Sequence, residues 1–138
     1  MEGKYKKVRK VYTIQKFEQI HNDIYFSLHD NEHGIQIQPT GQVIVDSDNM
    51  AFIYIVEEEG AYSYLSFPQT VWAGLLQIVQ NKRDPFLSPD LALPNFTEEL
   101  EYLLWNIQGN ENYGKEFVQA IEEQFSIIYL DSAEDSPL

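Results

Sequence analysis

The run Ala51-Phe52-Ile53-Tyr54-Ile55-Val56, the turn Glu57-Glu58-Glu59-Gly60 and the return Ala61-Tyr62-Ser63-Tyr64-Leu65-Ser66-Phe67-Pro68 decide the fold class. Ala51–Val56 is apolar at every position. That pattern fits a central strand covered on both faces. The acidic tetrad ending in Gly60 reads as a hairpin turn, and Tyr62–Ser66 is rich in residues that suit a pleated strand. Past Pro68 the period changes. Pro68 suits a first helical position, where its missing N–H would be unpaired anyway. Val71, Trp72, Leu75, Leu76 and Val79 then recur at helical spacing as far as about Lys82.

Upstream, the pattern stays β-like. Residues 8–17 alternate with apolar side chains on both faces, His21-Asn22-Asp23 is a turn signal, and Ile24–Leu28 forms a further strand. Ile35–Gln38 alternates strictly, Pro39-Thr40-Gly41 reads as a turn, and Gln42–Val45 returns. Downstream, Pro85, Pro89 and Pro94 mark residues 84–94 as an irregular crossing loop or a short edge strand. Asn95 with Glu98 reads as an N-cap and its reciprocal acid. Phe96, Leu100, Leu103, Leu104 and Ile107 form that helix's apolar stripe, and Gly109 closes it. Tyr113, Phe117, Ile121 and Phe125, four residues apart, define a third helix. Strands before helices predict an α+β fold: an antiparallel sheet of about five strands with about three helices packed on one face. A single domain over residues 1–130 is expected, with an acidic, disordered tail over 131–138.

Charge along the chain is sorted. Residues 1–16 carry Lys4, Lys6, Lys7, Arg9, Lys10 and Lys16 against Glu2, a balance of +5; the remainder must carry −18 to reach the net charge of −13. The chain is 43% hydrophobic, with nine Tyr, eight Phe and two Trp, which is too apolar for a disordered chain. With no cysteine, disulfides, thiolate metal sites and cysteine nucleophiles are excluded. No apolar leader core follows the basic residues, and the apolar runs fall far short of the ~20 residues that span a bilayer. The reading is a soluble cytoplasmic protein.

No motif names a reaction. His29 and His33 flank Asp30 and Glu32, but in a loop bearing Gly34, and zinc is not expected there; no role can be assigned to His21, His29 or His33. Asp46-Ser47-Asp48-Asn49 opens like a calcium loop, yet Met50 and Ala51 occupy the positions where the template wants an oxygen ligand and glycine, so it reads as an Asx-rich turn. Glycine-rich phosphate loops and GxSxG elbows are absent from the sequence. No catalytic residue, cofactor or metal is therefore assigned. Tyr and Trp favour interface hot spots, which singles out Tyr54, Tyr62, Tyr64, Trp72 and Trp105 as partner-binding candidates.

The function expected is a non-enzymatic acidic protein-interaction module with a basic N-terminal arm. Its partner would be another protein or a second copy, the arm of one subunit meeting the acidic body of the other. The arm is expected to dock as a strand rather than trail free. Binding to nucleic acid is not expected, since a −13 body repels a polyanion, nor is binding to a membrane. The alternative is a small enzyme or ligand-binding domain with a cleft between sheet and helices, in which His21, His29 or His33 would be the acid–base groups.

Two stretches, Val45–Ile55 and Glu98-Glu99-Leu100-Glu101-Tyr102-Leu103-Leu104-Trp105-Asn106-Ile107-Gln108-Gly109-Asn110-Glu111-Asn112-Tyr113-Gly114, resemble a small family of Bacillales proteins of about this length. The resemblance covers residues 20–126. It implies a cytoplasmic protein of a Gram-positive bacterium, and it brings no assigned activity.

Overall fold

In the computed structural model, which describes residues 8–28 and 36–134, Ala51–Glu58 (β5) and Ala61–Pro68 (β6) form the antiparallel hairpin that the sequence implies. Its turn is shorter than the acidic tetrad. Only Glu59 and Gly60 leave the ladder, both at positive φ (52° and 82°), the two-residue geometry whose twist matches the strands. Glu58 therefore lies within the strand. It is buried, and its carboxylate accepts the Tyr12 hydroxyl at 2.7 Å and the Ser63 hydroxyl at 2.8 Å.

Val8–Thr13 (β1) lies parallel to β6, and Gln38–Asp46 (β4) antiparallel to β5, giving a first sheet ordered β1-β6-β5-β4. The arm is thus docked from Val8 onward, with Tyr12 and Ile14 buried; residues 1–7 lie outside the described residues. A second sheet, ordered β2-β3-β7-β8, comprises Lys16–Ile20 (β2), Asp23–Ser27 (β3), Phe86–Leu87 (β7) and Leu91–Ala92 (β8). The fold is α+β as expected, but among the described residues the strands form two sheets instead of one antiparallel sheet, each with one parallel pair, β1 with β6 and β3 with β7. The hand-over occurs at Ile14-Gln15, where the Ile14 amide bonds Ser66 of the first sheet and the Gln15 amide bonds Ser27 of the second, each at 2.9 Å. That accounts for the two-sided alternation of residues 8–17.

Pro39-Thr40-Gly41 is not a turn but a bulge within β4. Gly41 takes φ 81°, the register slips between Pro39 and Gln42, and the Thr40 hydroxyl replaces a ladder bond by donating to the Ile55 carbonyl at 2.7 Å. The helices are Trp72–Asn81 (α1), Phe96–Ile107 (α2), Lys115–Gln124 (α3) and Ser126–Glu134 (α4). Pro68 ends β6 instead of opening a helix, with a 3-10 turn over Gln69–Val71 between them. α4 is a fourth helix, and it carries ordered backbone past residue 131, where the sequence suggests a tail; residues 135–138 lie outside the described residues.

One core joins the inner face of the first sheet, the second sheet and the helices. Two of the five aromatic candidates for partner binding belong to it. Trp72 is fully buried among Phe52, Phe117 and Phe125, with its indole N–H donating to the Phe67 carbonyl at 3.1 Å. Tyr54 is also fully buried; its hydroxyl accepts the Gly41 amide at 3.2 Å and donates to the Pro94 carbonyl at 2.7 Å. Neither can anchor a partner, because each is a bulky ring whose polar tip is satisfied inside the fold. α1 reaches the second sheet at Gly74, where a Cβ would come within 2.8 Å of the Phe17 ring.

Two predictions follow from this packing. Gly74→Ala should destabilise the fold by about 1 kcal/mol net: overpacking costs ~1–3 kcal/mol and better helix propensity returns ~1. Urea denaturation measures it, and an unchanged or raised midpoint would contradict the close approach. For Tyr54, burial pushes the phenol up to about 12 from 10.0; the Asp84 charge adds to this and the Gly41 amide opposes it. The unfolded phenol ionises first, so stability present below pH 10 drains away as pH rises from about 10 to about 12. Tyr54→Phe should be less stable at pH 8 by about 1–3 kcal/mol, since the Gly41 amide and Pro94 carbonyl lose their partner. Its fall in alkali, followed by urea titrations on either side of pH 10, should be shallower.

Candidate interaction surface

With Tyr54 and Trp72 in the core, Tyr62, Tyr64 and Trp105 remain of the five candidates. Tyr62 and Tyr64 project from β6 on the face of the first sheet opposite the core, the former exposed and the latter half-buried. Trp105 lies on α2 and is 42% exposed. Its ring meets that of Tyr129 on α4 edge-on, at 5.1 Å between centroids and 81° between planes. Tyr129 itself is buried and donates its hydroxyl to the Leu104 carbonyl of α2 at 2.7 Å; burial, with the Glu122 charge, holds its phenol well above the usual range. Trp105 is thus braced from below while its outer edge faces solvent.

Tyr102, one turn before Trp105 on α2, is 66% exposed. Ile127 and Leu130, one turn apart on α4, are 42% and 61% exposed. Residues three apart share a helix face, so α2 and α4, joined by the Trp105–Tyr129 contact, each present an apolar pair to solvent. Tyr102 is not among the five aromatic candidates that the sequence singles out. The available signal was its position off the stripe of Leu100, Leu103, Leu104 and Ile107, where a solvent-facing helix normally carries polar residues. Residues 96–134 hold nine acids (Glu98, Glu99, Glu101, Glu111, Glu116, Glu122, Glu123, Asp131, Glu134) against Lys115, so 1 − 9 gives a net charge of −8.

A shallow, solvent-open depression of about 330 Å³ lies where α1 ends and α2 begins, lined by Lys82, Asp84, Asn95, Thr97, Glu98 and Glu101. Its groups are largely bonded to the fold itself. Asn95 is not the expected side-chain cap. It takes φ 66°, and its amide group donates to the Gly41 carbonyl at 3.1 Å. Asp84, eleven residues earlier, caps α2 instead, one oxygen accepting the Asn95 amide at 3.0 Å and the other the Thr97 amide at 2.8 Å. Thr97 donates its hydroxyl to the Arg83 carbonyl, Lys82 pairs with Glu101 at 3.4 Å, and Arg83 pairs with Asp23 at 2.9 Å.

The remaining sequence candidates do not converge. His21 is exposed in the β2–β3 turn, whereas His29 and His33 lie outside the described residues. Asp46–Asn49 is a turn closed on itself, with the Asn49 amide group donating to the Asp46 carboxylate at 2.9 Å. Among the described residues, no group of three or more His, Asp and Glu is placed to hold a metal ion.

A family model described as "Family of unknown function (UPF0738)" matches residues 12–125, from the buried Tyr12 of β1 to the end of α3. The chain belongs to the UPF0738 family. The Bacillales resemblance drawn from residues 45–55 and 98–114 is to this family. The UPF0738 protein of Lysinibacillus sphaericus is 46% identical over 129 residues, covering 90% of this chain and 100% of that one. That of Bacillus cereus is 36% identical over 116 residues, or 81% of this chain and 94% of its own length. That of Staphylococcus haemolyticus is 45% identical over 87 residues, or 63% and 74% of the two chains. No solved structure matches the chain. In this UPF0738 chain the helix cap yields a direct test: Asp84→Ala should cost about 1–2 kcal/mol in urea denaturation, and Asp84→Asn, which keeps one acceptor, distinctly less. Equal losses would mean that only the charge matters.

Proposed function

We propose that this UPF0738 protein is a non-enzymatic, acidic interaction module that docks a basic, apolar-faced segment of a partner protein along α2 and α4. One observation carries this reading: Tyr102 and Trp105 stand exposed on α2, Trp105 is braced by Tyr129, and both lie within a stretch of charge −8. A rigid aromatic gives contact area at low entropic cost and is the residue type most often found at interface hot spots. The surrounding carboxylates steer a cationic partner and repel an acidic one. The same charge disfavours nucleic acid, and a cytoplasmic setting accords with the lack of cysteine. Among the described residues, no helix is long and apolar enough to cross a membrane.

The test uses a synthetic amphipathic Lys/Leu peptide and a Lys/Ser peptide of equal length and charge, titrated by isothermal calorimetry at near-physiological salt. The Lys/Leu peptide should bind at least ~10-fold more tightly, and Trp105→Ala or Leu130→Asp should remove that advantage. Equal binding of both peptides, or indifference to both substitutions, would leave only bulk charge and defeat the proposal.

A further inference from the structure

The chemistry of the α2–α4 surface bears on the backbone conformation of what it holds. Tyr102 and Trp105 lie about 4.5 Å apart along the axis of α2, and Ile127 and Leu130 repeat that spacing on α4. All four offer side chains. The backbone of α2 is occupied with its own helical bonds, and the carbonyls near its end are taken as well. That of Leu104 accepts the Gln108 amide at 3.2 Å and the Tyr129 hydroxyl at 2.7 Å, and that of Ile107 accepts the Asn110 amide at 2.9 Å. An incoming chain therefore meets apolar area and carboxylates, without the row of open backbone groups that a sheet edge presents.

A segment that covers Tyr102 and Trp105 gives up water on its inner side. If extended, it would bury N–H and C=O groups that find no partner, at about 1–3 kcal/mol for each. A helix brings its backbone bonds with it and buries only side chains. Charge completes the description. Glu98 and Glu101 stand one turn before Tyr102 and Trp105 on the same helix, and Asp131 follows Leu130 on α4. Glu101 meets Lys82 at 3.4 Å, while Glu98 and Asp131 are exposed. We infer that the partner segment is an α-helix of about three turns, apolar at i, i+3 or i+4 and i+7, with Lys or Arg beside that stripe, packed across Tyr102 and Trp105 as a third helix. This inference rests on the docking surface proposed above and names the conformation that the surface selects.

The test compares the amphipathic Lys/Leu peptide with three others of equal charge, each titrated into the full chain by calorimetry. One is the Lys/Ser control. Another is the Lys/Leu sequence with two adjacent D-residues at its centre, which breaks the helix and keeps the composition. The last is the Lys/Leu sequence closed by a hydrocarbon bridge from i to i+4. The D-residue peptide should bind at least ~10-fold more weakly than the all-L peptide, and the bridged one at least ~3-fold more tightly, because its ordering cost is met in advance. Far-UV circular dichroism should show helix gained when the all-L peptide binds. Tyr102→Ala should weaken the all-L and bridged peptides and leave the Lys/Ser control unchanged. If the D-residue peptide matches the all-L peptide, and both exceed Lys/Ser, the helical occupant is overturned and the docking surface stands. Binding without gain of helix, or indifference to Tyr102→Ala, would overturn it equally. A Lys/Leu peptide no better than Lys/Ser would remove the docking surface itself, and the helix with it.

Discussion

One hydroxyl group holds three parts of this fold in register. Tyr54 lies in the middle of the most buried strand, and its ring alone could pack in several ways. Its hydroxyl takes the Gly41 amide from the β4 bulge and gives its proton to the Pro94 carbonyl just before α2. The bulge needs that acceptor, because a bulged residue loses its ladder partner and a buried amide cannot go unpaired. The entry to α2 needs the donor for the same reason. Asn95 completes the joint by donating to the Gly41 carbonyl, so both polar groups of the Gly41 backbone are tied to the α2 side of the molecule. The position of α2, and with it Tyr102 and Trp105, follows from this joint.

Much of the fold was legible in the sequence because it rests on local patterns. The Ala51–Pro68 hairpin and the three apolar helix stripes are set by periodicity and turn chemistry within a few residues. What was not legible depends on partners distant in the chain. The splitting of the strands into two sheets turns on Ile14 and Gln15 finding Ser66 and Ser27, a choice that alternation cannot encode. Pro39-Thr40-Gly41 has the composition of a turn, and the Thr40 hydroxyl on the Ile55 carbonyl, with the Tyr54 hydroxyl on the Gly41 amide, holds it as a bulge. Asn95 has the composition of a cap, but a left-handed backbone turns its side chain away and Asp84 takes over from eleven residues upstream.

The same distinction governs the surface. Aromatic content drew attention to five residues, yet composition cannot say which way a ring points. Trp72 and Trp105 both sit on helices; one is enclosed by phenylalanines and the other faces solvent. The useful signal was phase: Trp72 lies in step with Leu75 and Val79, whereas Tyr102 falls off its helix's stripe. Charge was more informative than aromaticity. An acidic body makes an exposed apolar pair inside an acidic stretch stand out, and the proposed docking surface is drawn from that contrast.

The parallel pairing of β1 with β6 has a consequence for the order of events during translation. Val11 and Tyr64, neighbours in the sheet, are 53 positions apart in the chain (64 − 11). At ribosomal speeds of ~5–20 residues per second, the nascent β1 segment waits about 3–10 s for its partner to be made. During that interval Tyr12 and Ile14 have no core to enter, and the positive charge beside them is not yet offset by the acidic residues that follow. Transiently exposed apolar side chains are where a nascent chain is most prone to wrong contacts, so the most distant pairing in the first sheet also leaves its first strand the longest exposed.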